Sequence, residues 1–187
     1  MTNRLFITLD IPGKTIDEII KLRDDLYSDK SPHWEGRDKL HITLKFLGNT
    51  DVELIPKLER MLDKLSNEYN QMNLSFNRFG MFYRNRQPKI FWLGAEKNNE
   101  LNNLQKSIDE YCELFNFERD KRSFHPHLTL LRIKGYENIR QLEKMKQTQI
   151  APLTFTAKTI SLMKSELQPG GSVYSTIKSF ELSKTEE

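Results

Sequence analysis

The chain has 187 residues, of which 37% are hydrophobic and 29% are charged, and its formal net charge is +3. This composition predicts one soluble domain with a real core, and the mild positive charge fits an anionic substrate without requiring nucleic acid. The single cysteine, Cys112, excludes an internal disulfide and a zinc site built from thiolates, so we expect it in the core. No apolar run is long enough to span a membrane and the N-terminus leads directly into a strand pattern, so we expect a cytoplasmic enzyme.

In chain order, the first half of the sequence predicts a strand, a helix, a strand, a helix and a hairpin. Leu5, Ile7 and Leu9 alternate with more polar residues, which is typical of a half-buried strand, and Pro12-Gly13 ends it. The predicted strands cover residues 4–11, 39–47 (stopped by Gly48), 72–83 and 89–94, and the predicted helices cover residues 16–26 and, capped by Asp51, 51–69.

The second half predicts a helix, a strand, a helix and another hairpin, so the order of elements resembles that of the first half. Leu74-Ser75-Phe76 opens the first predicted hairpin and Leu153-Thr154-Phe155 opens the second. This similarity indicates an internal duplication. The predicted helices cover residues 98–115 and 137–146, the predicted strands cover 125–133, 153–167 and 173–182, and residues 183–187 are expected to fray.

A duplicated chain predicts two lobes related by a pseudo-twofold axis. Hairpins and strand–helix–strand units without regular parallel alternation favour an α+β fold with antiparallel sheets. We therefore expect residues 1–187 to form a single bilobal domain. Each lobe is predicted to carry one antiparallel sheet with helices on its outer face, and the active-site cleft is predicted to lie between the lobes.

One short pattern occurs twice, as His41-Ile42-Thr43-Leu44 and as His127-Leu128-Thr129-Leu130. Successive side chains of a strand point to opposite faces, so each histidine shares a face with its threonine while the apolar residues share the other. Two such strands facing each other would place two imidazoles and two hydroxyls around one small anionic group. That set of side chains suits acid–base chemistry on a phosphate.

Two other interpretations of these histidines remain open at this point. His41 and His127 could be structural strand histidines that bond to the neighbouring threonines. His125 and His127 could also form a metal pair with a carboxylate from the loop at Glu118 and Asp120, although the intervening Pro126 restricts the chain. We expect no metal and no cofactor.

Four segments, in order along nearly the whole chain, resemble the two-histidine phosphoesterase superfamily and its bacterial branch of RNA 2′,3′-cyclic phosphodiesterases, also named 2′-5′ RNA ligases. They are residues 4–12 (RLFITLDIP), 41–48 (HITLKFLG), 124–132 (FHPHLTLLR) and 165–174 (SELQPGGSVY). One departure is Gly171-Ser172, where many relatives have Gly-Pro, and we expect it to affect only the turn.

The resemblance implies hydrolysis of a ribose 2′,3′-cyclic phosphate to a 2′-phosphate without a metal, by His41 and His127. One histidine must be neutral and the other protonated, so a bell-shaped pH profile is expected. The sequence leaves open which histidine plays which role, and of the two arrangements we favour His41 as general acid and His127 as general base. The reverse direction, which joins a cyclic end to a 5′-hydroxyl by a 2′-5′ linkage, uses the same groups.

The remaining candidate residues are candidates for binding the substrate. Thr43 and Thr129 can donate to the non-bridging phosphate oxygens. The resemblance makes Arg132 a further phosphate ligand, although a five-residue spacing from His127 puts it on the opposite strand face unless the strand twists or bulges. Phe6 and Tyr174 are candidate base or ribose contacts, and Phe6 could instead pack under a helix.

The predicted partner is RNA with a cyclic phosphate terminus or a nucleotide substrate, without a membrane, and the chain is expected to be a monomer. A phosphodiesterase for small cyclic nucleotides or ADP-ribose cyclic phosphate is an alternative enzyme. A non-catalytic RNA-binding module is an alternative outside enzymes, and both intact motifs argue against it. Basic residues of the first hairpin and the charged loop could follow an RNA backbone; they are Arg78, Arg84, Arg86, Lys89, Arg119, Lys121 and Arg122.

Overall fold

The computed structural model describes residues 1–27 and 33–184, which form one eight-stranded antiparallel sheet and four α-helices. This confirms the α+β class. The strands are β1 Thr2–Leu9, β2 Ile42–Asp51, β3 Met72–Arg84, β4 Gln87–Ala95, β5 His127–Arg132, β6 Leu153–Ala157, β7 Thr159–Gln168 and β8 Gly171–Glu181. The helices are α1 Gly13–Leu26, α2 Ile55–Glu68, α3 Asn99–Leu114 and α4 Ile139–Gln147.

The sheet consists of two four-stranded halves. Its strand order is β6-β3-β4-β5-β2-β1-β7-β8, and β2 and β5 meet in the middle through a single residue pair, Ile42 and Leu128. We call β2-β1-β7-β8 half-sheet 1, β6-β3-β4-β5 half-sheet 2, and the β2–β5 contact the seam. Helices α2 and α3 pack on half-sheet 1, and α1 and α4 pack on half-sheet 2.

The predicted strand over residues 153–167 is wrong, because it is two strands in different halves of the sheet. Strand β6 pairs with β3 and strand β7 pairs with β1, and only Lys158 lies between them. Two residue steps span at most about 7 Å, so the sheet must curl to bring these strands together. The triplets at Leu74 and Leu153 are hydrogen-bonded neighbours in half-sheet 2, with Leu74 opposite Phe155, rather than equivalent parts of two hairpins.

Strand β2 also differs from its prediction. It begins at Ile42, because residues 37–39 form a 3₁₀ turn, and it continues through Gly48 to Asp51. Gly48 has a φ of +69°, which glycine adopts without strain, so the strand bends there and stays paired with β1. The side chain of Asp51 caps no helix, and another 3₁₀ turn precedes α2.

The core lies between the sheet and the helices. Strand β1 is buried on both faces from Leu5 to Leu9, not on one face as predicted. Cys112 is fully buried on α3, which confirms it as a core residue.

The backbone N–H of Ser183 donates to carbonyls at the end of α2, so the first residue of the predicted frayed tail is anchored, while residues 185–187 lie outside the described chain. None of the helices in the described ranges is long and apolar enough to cross a membrane.

Candidate active site

The two His-x-Thr motifs meet at the seam. Ile42 pairs with Leu128, and extending this antiparallel register by one residue in each direction puts His41 opposite Thr129 and Thr43 opposite His127. Ile42 and Leu128 are fully buried, so the histidines and threonines share the opposite face, where all four are half-buried. Such diagonal positions in an antiparallel pair lie about 7–8 Å apart, with their Cβ atoms somewhat closer, so the two imidazoles can face the same small anion.

The seam coincides with the symmetry of the sequence. An antiparallel pair has a local twofold axis, and here that axis relates Ile42 to Leu128. Their separation of 86 residues equals that between His41 and His127. The duplicated motifs are therefore symmetry mates across one strand pair.

A β-bulge in β5 explains how Arg132 reaches the site. Thr129 pairs with Trp92 and Leu131 pairs with the preceding residue of β4, so Leu130 is an extra residue. Leu130 and Leu131 are both buried, and the alternation restarts so that Arg132 returns to the face of Thr129. The bulge therefore explains how Arg132, five residues after His127, lies on the same strand face as His127.

Strand β2 carries a bulge at the equivalent place. Thr8 pairs with Thr43 and Ile7 pairs with Lys45, so Leu44 is the extra residue. Phe46 thereby returns to the face of Thr43, where it is 66% exposed. Phe46 is the symmetry mate of Arg132, so the repeat places a guanidinium on one side of the site and an aromatic ring on the other.

Strand β2 is fixed below its bulge by a buried ion pair. The ammonium of Lys45, 3% exposed, bonds to the carboxylate of Asp109 on α3, which is 7% exposed. It also donates to the carbonyl of Glu118 at 2.6 Å. These bonds tie the strand that carries His41 and Thr43 to α3 and to the charged loop.

Both imidazoles have depressed pKa values. Burial, and after it the positive charges of Arg132 and His127, lowers the pKa of His41 from 6.5 to about 4. Burial also lowers the pKa of His127, against the raising effect of its hydrogen bond to the His125 carbonyl, and the charges of His125 and Arg132 add to the lowering. The influence of Arg132 on both histidines shows that the three groups lie close together.

The orientation of His127 is set by its own backbone. Its Nδ1 lies 2.7 Å from the carbonyl oxygen of His125, which can only accept, so Nδ1 carries the proton. A neutral His127 therefore has its lone pair on Nε2. Among residues 1–27 and 33–184, no three His, Cys, Asp or Glu side chains come together as a metal site.

Arg132 and the threonines present donors to this face. The Arg132 Nε donates to Glu35 at 3.0 Å, and Glu35 is itself held by its backbone N–H to the Leu130 carbonyl. The hydroxyls of Thr43 and Thr129 bond to no other group of the described chain, so both are available to an anion.

Aromatic rings flank His41 on half-sheet 1. The Phe6 ring centroid lies 5.4 Å from that of His41 and 4.9 Å from that of Tyr174. Phe6 is only 3% exposed, so it lies behind Tyr174 in the wall of the site rather than under a helix. Lys39 places its ammonium 5.9 Å from the centre of the Tyr174 ring.

A second aromatic group flanks His127 on half-sheet 2, and sequence reasoning missed it. The centroid of Phe82 lies 4.8 Å from that of His127 and 5.3 Å from that of Trp92. Gly80 makes room for the indole, because a Cβ there would lie 2.1 Å from the Trp92 ring. The same reasoning missed Glu35 and Phe46. Only Phe46 had a signal, since it lies five residues after a motif histidine as Arg132 does.

The fold and the seam define a class of protein in which each half of a duplicated antiparallel sheet contributes one imidazole and one hydroxyl to a common face. The sequence profile of the 2′-5′ RNA ligase superfamily matches residues 7–169, so the chain belongs to that superfamily. The family resemblance found in the sequence is confirmed.

Relatives of similar length support this assignment. The chain is 35% identical to the RNA 2′,3′-cyclic phosphodiesterase of Methanocaldococcus jannaschii, covering 94% of this chain and 98% of that protein. It is 28% identical to the protein of the same name from Methanothermobacter thermautotrophicus, covering 97% and 100%. The crystal structure of E. coli LigT in apo form shares the fold, with a TM-score of 0.79 at 23% identity, covering 98% and 99%.

Proposed function

We propose that this chain hydrolyses RNA 2′,3′-cyclic phosphate ends to 2′-phosphate ends. The observation that carries the proposal is the seam, where His41, Thr43, His127 and Thr129 share one face and the β5 bulge adds Arg132. The relatives named RNA 2′,3′-cyclic phosphodiesterase, which match over nearly their full length, support the same activity.

His127 acts as the general base. Its Nδ1–H bond to the His125 carbonyl leaves Nε2 with a lone pair, and its lowered pKa keeps it neutral near pH 7. Nε2 takes a proton from water as the water oxygen attacks phosphorus. The same backbone carbonyl then stabilises the imidazolium that forms.

His41 acts as the general acid on the opposite side of phosphorus. It gives a proton to O3′ as the P–O3′ bond breaks, while O2′ keeps the phosphate. In the free site its pKa of about 4 leaves it neutral. A bound phosphate anion faces His41 and Arg132, and its negative charge raises the pKa of His41. Substrate binding therefore favours the protonated form of His41, which is the form that acts as the acid.

Arg132, Thr43 and Thr129 donate to the non-bridging oxygens, where negative charge accumulates in the transition state. Tyr174 contacts the terminal base or ribose, and Phe6 supports its ring from behind. The chain works as a single bilobal domain, as a monomer in the cytoplasm, on RNA.

The test is an oligonucleotide ending in a 2′,3′-cyclic phosphate, incubated with the protein and a chelator. We expect a 2′-phosphate product, and a loss of at least about 10²-fold in kcat for His41→Ala and for His127→Ala. His33→Ala, at an exposed histidine, is the control and should keep its activity. A 3′-phosphate product, or full activity in either motif variant, contradicts the proposal.

A further inference from the structure

A short segment that carries Glu35 closes the sheet beyond the seam. Strands β2 and β5 share a single residue pair, so the rest of that edge of β5 is left without a partner in β2. Trp34 pairs with Leu131 there, and the backbone N–H of Glu35 donates to the carbonyl of Leu130 at 2.8 Å. These backbone contacts bring the Glu35 side chain next to Arg132.

Trp34 fixes this segment without help from the Glu35 side chain. Its ring packs edge-on against Tyr27, with 5.2 Å between the ring centroids, and its centroid lies 6.3 Å from that of Phe91 on β4. The guanidinium carbon of Arg23 on α1 lies 5.2 Å from the centre of the indole. The backbone of the segment should therefore keep its place when the side chain of Glu35 is truncated.

The Glu35 carboxylate pairs with one cation on each side of the site. Its Oε1 lies 3.0 Å from Nε of Arg132 on half-sheet 2, and its Oε2 lies 3.7 Å from the ammonium of Lys39. Lys39 in turn lies beside Tyr174 of half-sheet 1. The side chain of Glu35 is 14% exposed, so the two cations compensate a carboxylate that is largely removed from water.

Arg132 needs a partner of this kind because its own side chain is 54% exposed. Arginine is among the side chains that lose most rotamer entropy when they are ordered, and a ligand that must order one binds less tightly. A carboxylate at Nε holds the guanidinium in advance. It leaves the terminal N–H groups, which match the oxygens of a phosphate in bidentate geometry.

We propose that Glu35 is a positioning residue that holds Arg132 ready for the phosphate. The negative charge of Glu35 is the smaller effect, because it is already paired with two cations and is screened by water and salt. The inference rests on the proposed function for its kinetic readout, whereas its binding readout requires no catalysis.

The first experiment titrates the protein with inorganic phosphate by calorimetry. Glu35→Ala should weaken phosphate binding by about tenfold, because the phosphate must then order Arg132 itself. Glu35→Gln keeps an acceptor oxygen of the same reach and should restore most of the affinity. Glu18→Ala, at an exposed glutamate of α1, is the matched control and should bind phosphate as the wild type does.

The second experiment separates positioning from a merely structural role. On an oligonucleotide with a 2′,3′-cyclic phosphate end, Glu35→Ala should lower kcat/KM by about tenfold. In an Arg132→Ala background the same change should have no further effect, because the group that Glu35 positions is gone. Damage to the fold or to the segment would lower kcat/KM in both backgrounds.

Two results overturn the inference. Tighter phosphate binding in both Glu35→Ala and Glu35→Gln would show that the carboxylate repels the anion rather than preparing its site. An equal loss of kcat/KM from Glu35→Ala with and without Arg132 would show that Glu35 does not act through the guanidinium. If the wild-type protein leaves the cyclic phosphate intact, the proposed function fails, and the phosphate titration still decides the role of Glu35.

Discussion

Near pH 7 the two site histidines are neutral in the free protein, because burial and the positive charge of Arg132 lower their pKa values. The pKa of His41 is lowered to about 4 and that of His127 is lowered as well. Since kcat/KM reports the free enzyme, both limbs of its bell-shaped profile are expected at or below 6.5.

We predict that His41 makes the fold less stable in acid. Between pH 6.5 and 4 the unfolded chain binds a proton at this imidazole that the folded chain does not, so the free energy of unfolding falls as the pH is lowered. In His41→Gln the loss from pH 7 to pH 5, measured by urea denaturation, should be about 2 kcal/mol smaller than in the wild type. The exposed His33→Gln should behave as the wild type, and an equal loss in all three proteins would contradict the prediction.

After burial, which is the main cause, Arg132 contributes to the lowered pKa of both histidines. Its charge lowers the pKa of His41 and that of His127, so Arg132→Ala should raise both. NMR titration of the imidazole resonances measures the change, with Arg60→Ala on the far helix α2 as the control. Unchanged imidazole titrations in Arg132→Ala would show that the guanidinium does not face the two rings.

At the scale of elements, the two β-bulges decide which side chains enter the site. Period-two alternation in the sequence predicted the face of His41 and Thr43 and that of His127 and Thr129. It could not predict the bulges, because the extra residue, Leu130 in β5, is apolar like its neighbours and leaves no turn signal. The position of Arg132 follows from the pairing of β5 with β4, which is a long-range property.

The Trp92 indole packs directly against Gly80 of strand β3. Gly80→Ala adds a methyl 2.1 Å from the indole, so the ring or the strand must shift, at about 1–3 kcal/mol. Gly170→Ala, in the open β7–β8 turn, meets no atom within 4 Å and is the control. Thermal unfolding of both variants is the measurement. Equal stability of Gly80→Ala and wild type would mean that the indole does not rest on this glycine.

The buried ion pair of Lys45 and Asp109 ties β2 to α3. Lys45→Met leaves the buried carboxylate of Asp109 with only the half-exposed Arg119, whose Nε lies 3.7 Å away, and we expect a loss of about 3 kcal/mol in the free energy of unfolding. The double variant with Asp109→Leu should recover most of that loss, because both charges are gone. If Lys45→Met were as stable as the wild type, the prediction that this ion pair is shielded from solvent would be wrong.

At the scale of the whole molecule, the sequence predicted the α+β class, the four helices of the described chain and the duplicated motif. It did not predict that the strand run after Leu153 divides at Lys158 and joins both halves of the sheet. No glycine or proline marks that point, so local pattern gave no sign of it. The aromatic pair of Phe82 and Trp92 was missed for a similar reason, since Trp92 reaches His127 only through the pairing of β4 with β5.

In the proposed mechanism, His41 and His127 act as one unit on one phosphate at the seam. The most direct measurement compares kcat on a cyclic-phosphate oligonucleotide for His41→Ala, His127→Ala and the double variant. Groups that act as a unit are strongly non-additive, so the double variant should fall within about tenfold of the weaker single variant. Losses that multiply in the double variant would show that the two histidines act independently, and would contradict the proposed mechanism.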